Sequence, residues 1–308
     1  MFTLKTDNDR LLLASPDLRA EIYLYGGLLN RYEIRRPDGT WFNIVKAYDT
    51  PQHARKSLTE WFRSGKLSPY ACRLRHGKYS FDGKAYQCGK FKLAEHAAHG
   101  LMYDREFALV NSHADDQSAE VEIRADYAQD DSGYPFPFSL TVRYRLSADG
   151  LSIRSTVHNQ GTTAMPLADG WHPYFTLGGK ADDWSLEIDS SKRLGFDADL
   201  VPDGSIIDDT RFQTTSSLTG IELDNSFVLA RSKPVACTLS GNGLTLSIYP
   251  DASYPYLQIF TPPTRDSIAI ENLSGAPDCF NNGLGLIKLD TGEEAAFETR
   301  YHIAANRP

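Results

Sequence analysis

The sequence predicts an all-β protein, a large antiparallel β-sandwich. Three observations carry this. Short runs of β-branched and aromatic residues alternate with turn residues along nearly the whole chain. Glycine (23), tyrosine (16) and phenylalanine (15) are plentiful, as strands joined by many turns require. The strand-like runs follow one another too closely for βαβ units.

Taken in order, strands are expected at Phe2–Lys5, Arg10–Ala14 and Ala20–Tyr25, with a turn at Asp7–Asp9. Leu28–Ile34 and Trp41–Val45 follow, joined through Pro37-Asp38-Gly39. Lys78–Phe81 and Lys84–Cys88 flank Asp82-Gly83, a strong hairpin signal. Glu106–Ser112 and Ala119–Tyr127 read as another pair. Phe138–Leu146 and Leu151–Val157 form a hairpin around Asp149-Gly150, with Leu140, Val142, Tyr144 and Leu146 alternating onto one face. Later strands are expected at Trp184–Ile188, Phe227–Ala230, Ala236–Leu239, Leu244–Tyr249, Tyr256–Phe260, Ser267–Glu271 and Glu294–Ile303. The polar stretch Lys46–Gly65 is different and predicts a short helix near Arg55–Phe62. No repeat or low-complexity linker interrupts the pattern, so residues 1–308 read as one domain.

A net charge of −8 argues against nucleic acid and anionic membranes as general partners. The N-terminal apolar run, Leu11–Ala14, is too short for a signal peptide or a membrane span. The expectation is a soluble cytoplasmic protein. Cys72, Cys88, Cys237 and Cys279 form no CxxC pair, and no His/Cys cluster has zinc-ligand spacing. Cys72 and Cys88 flank a hairpin and could pair, but free thiols in a reducing cytoplasm are the simpler reading.

The most chemically suggestive stretch is Met165–Leu177, MPLADGWHPYFTL. His172 sits among aromatics, with Gly170 letting the backbone turn and Pro173 stiffening the next step. Taken alone it reads either as a strand end whose histidine is packed or as the edge of a sugar-facing pocket. The tail IAIENLSGAPDCFNNGLGL adds a carboxylate, Glu271, at the end of an apolar strand. From Arg55 to Lys78 the chain carries Arg55, Lys56, Arg63, Lys66, Arg73, Arg75 and Lys78 against the single acid Glu60. That excess is either a solvated basic face or a patch toward an anionic part of a substrate.

The segments HGKYSFDGKAYQC, HAAHGLMYDREF, SGYPFPFSLTVRYRL, GWHPYF, LDNSF and IENLSGAPDCFNNGLGL occur in this order, and GEEAAFETRYHI closes the chain. Together they resemble the aldose 1-epimerase (galactose mutarotase-like) family. The resemblance runs from about Ser68 to Leu286, and GWHPYF followed by the IEN glutamate is its most specific pair. It implies a large β-sandwich of the mutarotase type and interconversion of the α and β anomers of a hexose or related sugar. Opening a cyclic hemiacetal takes one base at the anomeric hydroxyl and one acid at the ring oxygen, and needs no metal, nucleophile or redox cofactor.

By resemblance Glu271 is the base and His172 the acid. His99, in AAHGL, matches a second histidine near the ring oxygen. Arg73 matches an arginine that binds sugar hydroxyls, and Asp224 an acceptor for ring hydroxyls. Cys72 stands where the family usually has asparagine. Aromatic faces suit the C–H face of a pyranose, which makes Trp171, Tyr174 and Tyr134 candidates for the pocket wall. Phe136, Phe138 and Phe175 read as core. The partner is therefore a small-molecule sugar. Alternatives are a mutarotase for an anionic sugar (a hexose 6-phosphate or a 6-sulfonated hexose), a non-catalytic carbohydrate-binding protein, and a glycosidase using Asp224 with Glu271.

Overall fold

The computed structural model describes residues 1–305, and the last three residues, 306–308, lie outside the described part. The described residues form three large antiparallel sheets and some smaller pairings. The first is a meander of Thr3–Thr6, Arg10–Ala14, Leu18–Tyr23, Leu28–Arg35 and Trp41–Asn43, each strand paired to the next. Asp82 and Gly83 both take left-handed backbone (φ 46° and 76°) in the expected hairpin of Lys78–Phe81 with Lys84–Gln87.

The second sheet has nine strands. Ala108–Ala114, Ser118–Asp126, Phe138–Ser147, Gly150–Asn159, Glu294–Ala305, Leu244–Pro250, Cys237–Gly241, Ser185–Ile188 and Ser216–Ser217 lie side by side in that order. The period-2 reading holds along its centre: Leu140, Val142, Tyr144 and Leu146 are buried, while Arg143 and Arg145 reach Glu120 on the other face. The hairpin closes with Ser147 opposite Gly150.

The third sheet carries the site. Its order is Pro202–Asp208, Lys192–Phe196, Asp224–Val228, Tyr256–Phe260, Ile268–Leu273, Gly170–His172 and Gly65–Leu67, with Tyr174–Phe175 also pairing onto Ile268–Leu273. One of its faces packs on the nine-stranded sheet. Trp171 meets Tyr144 with ring centroids 6.2 Å apart, and Phe175 meets Tyr301 at 5.2 Å. From the same face Asn272 Nδ2 donates to Thr299 Oγ1 at 3.2 Å. The opposite face is left for the pocket.

Two departures from the sequence reading have simple causes. The helix starts at Pro51 and runs to Trp61, because Thr50 caps it by accepting from the His53 N–H at 3.0 Å and Pro51 tolerates the first turn. It ends where Phe62 turns left-handed (φ 50°) and buries Ala54 and Leu58 against Tyr23, Tyr48 and Tyr103. The strands Lys192–Phe196 and Pro202–Asp208 are not evident in the sequence, since Val201-Pro202-Asp203-Gly204 reads as a turn. Pro202–Asp208 is the outermost strand of its sheet, mostly exposed, where a proline is tolerated. All four cysteines are buried free thiols, so Cys72 and Cys88 are not bonded.

Candidate active site

Strand alternation selects which side chains face the pocket. Gly170–His172 pairs with Gly65–Leu67 on one side, with Trp171 opposite Lys66, and with Ile268–Leu273 on the other, with Gly170 opposite Leu273. His172 therefore lies beside Glu271, and their side chains turn to the same face. His172 Nε2 is 3.4 Å from Glu271 Oε1. On the next strand Gln258 lies directly opposite Glu271, and Phe260 opposite Asp224 beyond it. Gly170 is not in a left-handed turn here. A Cβ there would sit 2.7 Å from Leu273 Cδ2 and 2.9 Å from the Asn272 carbonyl oxygen, so close approach of the strands demands the glycine.

The resulting cavity measures about 220 Å³ and has His172, Glu271, His99, Arg73, Asp224 and Tyr174 in its wall. Those are six of the eight residues expected at the site from sequence, Trp171 and Tyr134 being the others. Trp171 is on the other face of its strand. There it packs on Tyr144, and the Lys66 ammonium lies 4.3 Å from its ring centroid. Tyr134 is also absent from the wall; it is buried in the core and donates to the Pro166 carbonyl at 2.7 Å. The same period of two that turns His172 to the pocket turns its neighbour Trp171 away.

The wall also contains Gln258, which the sequence reading did not single out, and Cys72, which it marked only as a departure from the family's asparagine. Gln258 Nε2 donates to Asp224 Oδ1 at 2.6 Å, and its own Oε1 accepts from Ser226 Oγ. A polar residue inside the apolar strand Tyr256–Phe260 was the available signal. Cys72 Sγ lies 3.8 Å from Glu271 Oε2, and the Cys72 carbonyl accepts from the His99 N–H at 2.9 Å. One residue thus contacts the candidate base and anchors the second histidine. Phe62 stacks beside His99 at 4.4 Å, and His99 meets His172 edge-on at 5.2 Å.

The electrostatics follow from depth. Glu271 is 2% exposed and His172 is 7% exposed. Burial pushes the Glu271 carboxyl well above the usual carboxylate range, with the nearby Asp224 acting in the same direction. Burial pulls His172 down to about 4. His99 is pulled well below the histidine range, by burial first and then by His172 and Arg73. Asp224 is raised by burial, with Arg73 opposing. Nδ1 of both His99 and His172 is buried without a hydrogen-bond partner among the described residues. Both members of the His172–Glu271 pair are thus held away from charge, and these directions put the proton of the pair on Glu271.

The basic stretch does not form one patch. Arg55 pairs with Glu106, Lys66 is buried against Asp169, and Arg75 pairs with Asp197 and Asp199. Arg73 is the one basic side chain of that stretch in the pocket wall, where it faces Glu60, Asp224 and Glu271. Among the described residues no helix is long and apolar enough to cross a membrane.

Comparison with known proteins bears on this geometry. The chain is 26% identical over 237 residues to the uncharacterized protein YihR of Escherichia coli (strain K12), covering 74% of each. Its fold superposes on a galactose mutarotase-like protein from Clostridium acetobutylicum with a TM-score of 0.86, at 16% identity over 99% of this chain and 98% of that one. A galactose 1-epimerase from Lactobacillus acidophilus NCFM superposes with a TM-score of 0.81, at 19% identity over 100% and 99% of the two chains. The sequence model of the aldose 1-epimerase family matches residues 9–302, and the chain belongs to that family.

Proposed function

We propose that the protein is an aldose 1-epimerase that interconverts the anomers of a neutral hexose or closely related sugar by acid–base ring opening. Family membership implies an epimerase-type isomerase activity. The observation that carries the specific reading is the 3.4 Å contact between His172 Nε2 and Glu271 Oε1 in a pocket that also holds Arg73, Asp224 and Gln258.

A hemiacetal carries its hydroxyl and ring oxygens on one carbon, so the base and the acid must be neighbours. Once the proton of the pair has passed from Glu271 to His172 across their contact, the Glu271 carboxylate takes the proton of the anomeric hydroxyl while the His172 imidazolium delivers one to the ring oxygen. The C1–O5 bond breaks, its electron pair goes to O5, and C1 becomes an aldehyde carbon. After rotation about C1–C2 the same groups act in reverse and close the ring on the other face. The pair holds one proton before and after each half-reaction. Arg73, Asp224 and Gln258 offer a donor, an acceptor and an amide for the remaining hydroxyls. Tyr174, stacked on His172 at 5.0 Å, offers a face for the C–H side of the ring.

The charge of the wall favours a neutral sugar over the anionic one. It carries one guanidinium, Arg73, against the carboxyl of Asp224, on which Arg73 acts, and that of the exposed Glu60. The chain is read as one domain, supported by a family match over 9–302 and a core cluster running from Leu11 to Ile303.

The test is the anomer exchange rate by NMR for glucose, galactose, glucose 6-phosphate and 6-sulfonated glucose. Acceleration of the neutral hexoses above the buffer rate is expected, with kcat/KM for the anionic sugars lower. A higher kcat/KM for either anionic sugar would overturn the neutral-substrate assignment. Absence of acceleration for all four would overturn the epimerase assignment.

A further inference from the structure

The pocket face of the third sheet carries a polar row that crosses four neighbouring strands. Ser226 on Asp224–Val228 lies directly opposite Gln258 on Tyr256–Phe260, and Gln258 lies directly opposite Glu271 on Ile268–Leu273. His172 continues the row beyond Glu271. Gln258, Glu271 and His172 stand in the pocket wall. Ser226 does not: it is fully buried at the end of the row, and the acid–base chemistry gives it no part. An apolar residue would suit such a place, since a buried hydroxyl costs stability unless it is hydrogen-bonded.

The Ser226 hydroxyl donates to the side-chain carbonyl of Gln258, and this sorts the two ends of that amide. Gln258 Nε2 donates to Asp224 Oδ1 at 2.6 Å, beside the cavity, while Oε1 accepts from Ser226 Oγ, away from it. Asp224 and Ser226 are two residues apart on one strand, so both project from the same face and meet the same amide. An amide has nearly the same shape either way round, and its partners decide which end is which. A carboxylate accepts, so the atom beside Asp224 is the nitrogen; the oxygen then faces Ser226, whose hydroxyl must donate. The strand is steadied just before these residues, where Thr261 Oγ1 accepts from the Leu223 N–H at 2.8 Å.

The consequence is for sugar binding. With one N–H on Asp224, Gln258 keeps a second N–H, and the wall presents a donor and an acceptor side by side. We propose that Ser226 is a positioning residue for the sugar site: by donating to Gln258 Oε1 it holds the amide with its nitrogen toward the cavity, so that Gln258 and Asp224 meet the ring hydroxyls as a fixed donor and acceptor. Without that hydroxyl the Gln258 carbonyl is left buried with no donor, and the amide turns to find one. Hydroxyls away from C1 are held alike before and during ring opening, so the effect falls on KM and on affinity, not on kcat. This rests on the epimerase reading for the identity of the ligand.

The experiment is a double-mutant cycle over Ser226 and Gln258. Wild type, Ser226→Ala, Gln258→Leu and the double variant are compared in anomer exchange of glucose and galactose by NMR. Affinities for the same sugars come from NMR titration, which needs no turnover, and folding is checked by melting temperature. Ser226→Ala should raise KM and weaken affinity about three- to tenfold, with kcat within about twofold of wild type. Ser226→Cys, similar in size but a weak donor, should lie between the two. In the Gln258→Leu background Ser226→Ala should have no further effect on KM or affinity, because the group it acts through is gone. An unchanged KM and affinity in Ser226→Ala, or the same loss with and without Gln258, overturns the positioning role and leaves the exchange reaction to stand. Coupled affinities without exchange of either sugar by any variant, wild type included, keep the positioning role and remove the epimerase reading. Failure of wild type to bind either sugar overturns both.

Discussion

Two buried ionisable pairs sit on opposite faces of the same sheet, and their difference separates structure from chemistry. On the core face Lys66 Nζ meets Asp169 Oδ1 at 2.5 Å, donates to Ser155 Oγ at 2.9 Å and lies against the Trp171 ring. Tyr254 adds a hydroxyl to the same Asp169 oxygen at 2.9 Å. On the pocket face His172 and Glu271 touch at 3.4 Å, with a weak thiol contact to Glu271 and an unpartnered Nδ1 on His172. Burial opposes charge in both, taking Lys66 down to about 8 and His172 to about 4. The first pair is closed off in the core, where Lys66 has two fixed partners and Asp169 leaves only Oδ2 without one. The second is under-partnered beside a cavity, which is the condition for handing protons to a substrate.

The comparison breaks first at His172. Replacing it with glutamine removes the acid while retaining an amide, and kcat/KM for anomer exchange should fall about 10²–10⁴-fold. A loss below tenfold would place the acid elsewhere, His99 being the nearest alternative. The same substitution should change the melting temperature little.

The core pair should answer in the opposite way. Lys66→Met leaves Asp169 buried and unpaired, and should destabilise the fold by about 3–5 kcal/mol in denaturant unfolding. Adding Asp169→Leu should recover most of that loss, because no lone charge then remains. If Lys66→Met alone is neutral, the pair is not the internal brace described above.

A smaller effect sharpens the contrast through pH. Glu271 ionises in the unfolded chain near 4.5, but burial raises it well above that in the native state. Between those values the native protein binds more protons than the unfolded one, so this group's contribution to stability falls as pH rises. Glu271→Gln removes the dependence. The variant should gain stability over wild type between pH 5 and pH 8, by at most about 1.4 kcal/mol per pH unit. A difference independent of pH across that range would contradict the burial-driven shift.

How much of this was legible in the chain differs by region. The central hairpin was plain, because Leu140, Val142, Tyr144 and Leu146 alternate cleanly against charged neighbours. The pocket residues were legible mainly through the resemblance carried by GWHPYF and IEN, since the third sheet brings distant segments together by pairings no local pattern reveals. Trp171 was assigned to the wall because of its neighbours in sequence, whereas the alternation of a strand sends adjacent residues to opposite faces. Lys66 looked like part of a basic face; its partner Asp169 becomes visible only when Gly65–Leu67 docks beside Gly170–His172. The outer lining of the pocket was hidden for a different reason. Phe196 ends one strand and Leu200 lies in the short connection before the strand Pro202–Asp208, whose Pro-Asp-Gly opening reads as turn, so nothing local tied them to a pocket.

The most direct test of the central claim is the anomer exchange rate of a neutral hexose measured across pH 4–9 for wild type and Glu271→Gln, with the fold of each checked by its melting temperature. Wild type should accelerate exchange over a broad plateau, bounded on the acid side by a second protonation of the pair near the lowered His172 value of about 4, and on the alkaline side by loss of the proton that Glu271 holds. The folded variant should show only the buffer rate throughout. A folded Glu271→Gln protein that still accelerates exchange to within a few-fold of wild type would contradict the account.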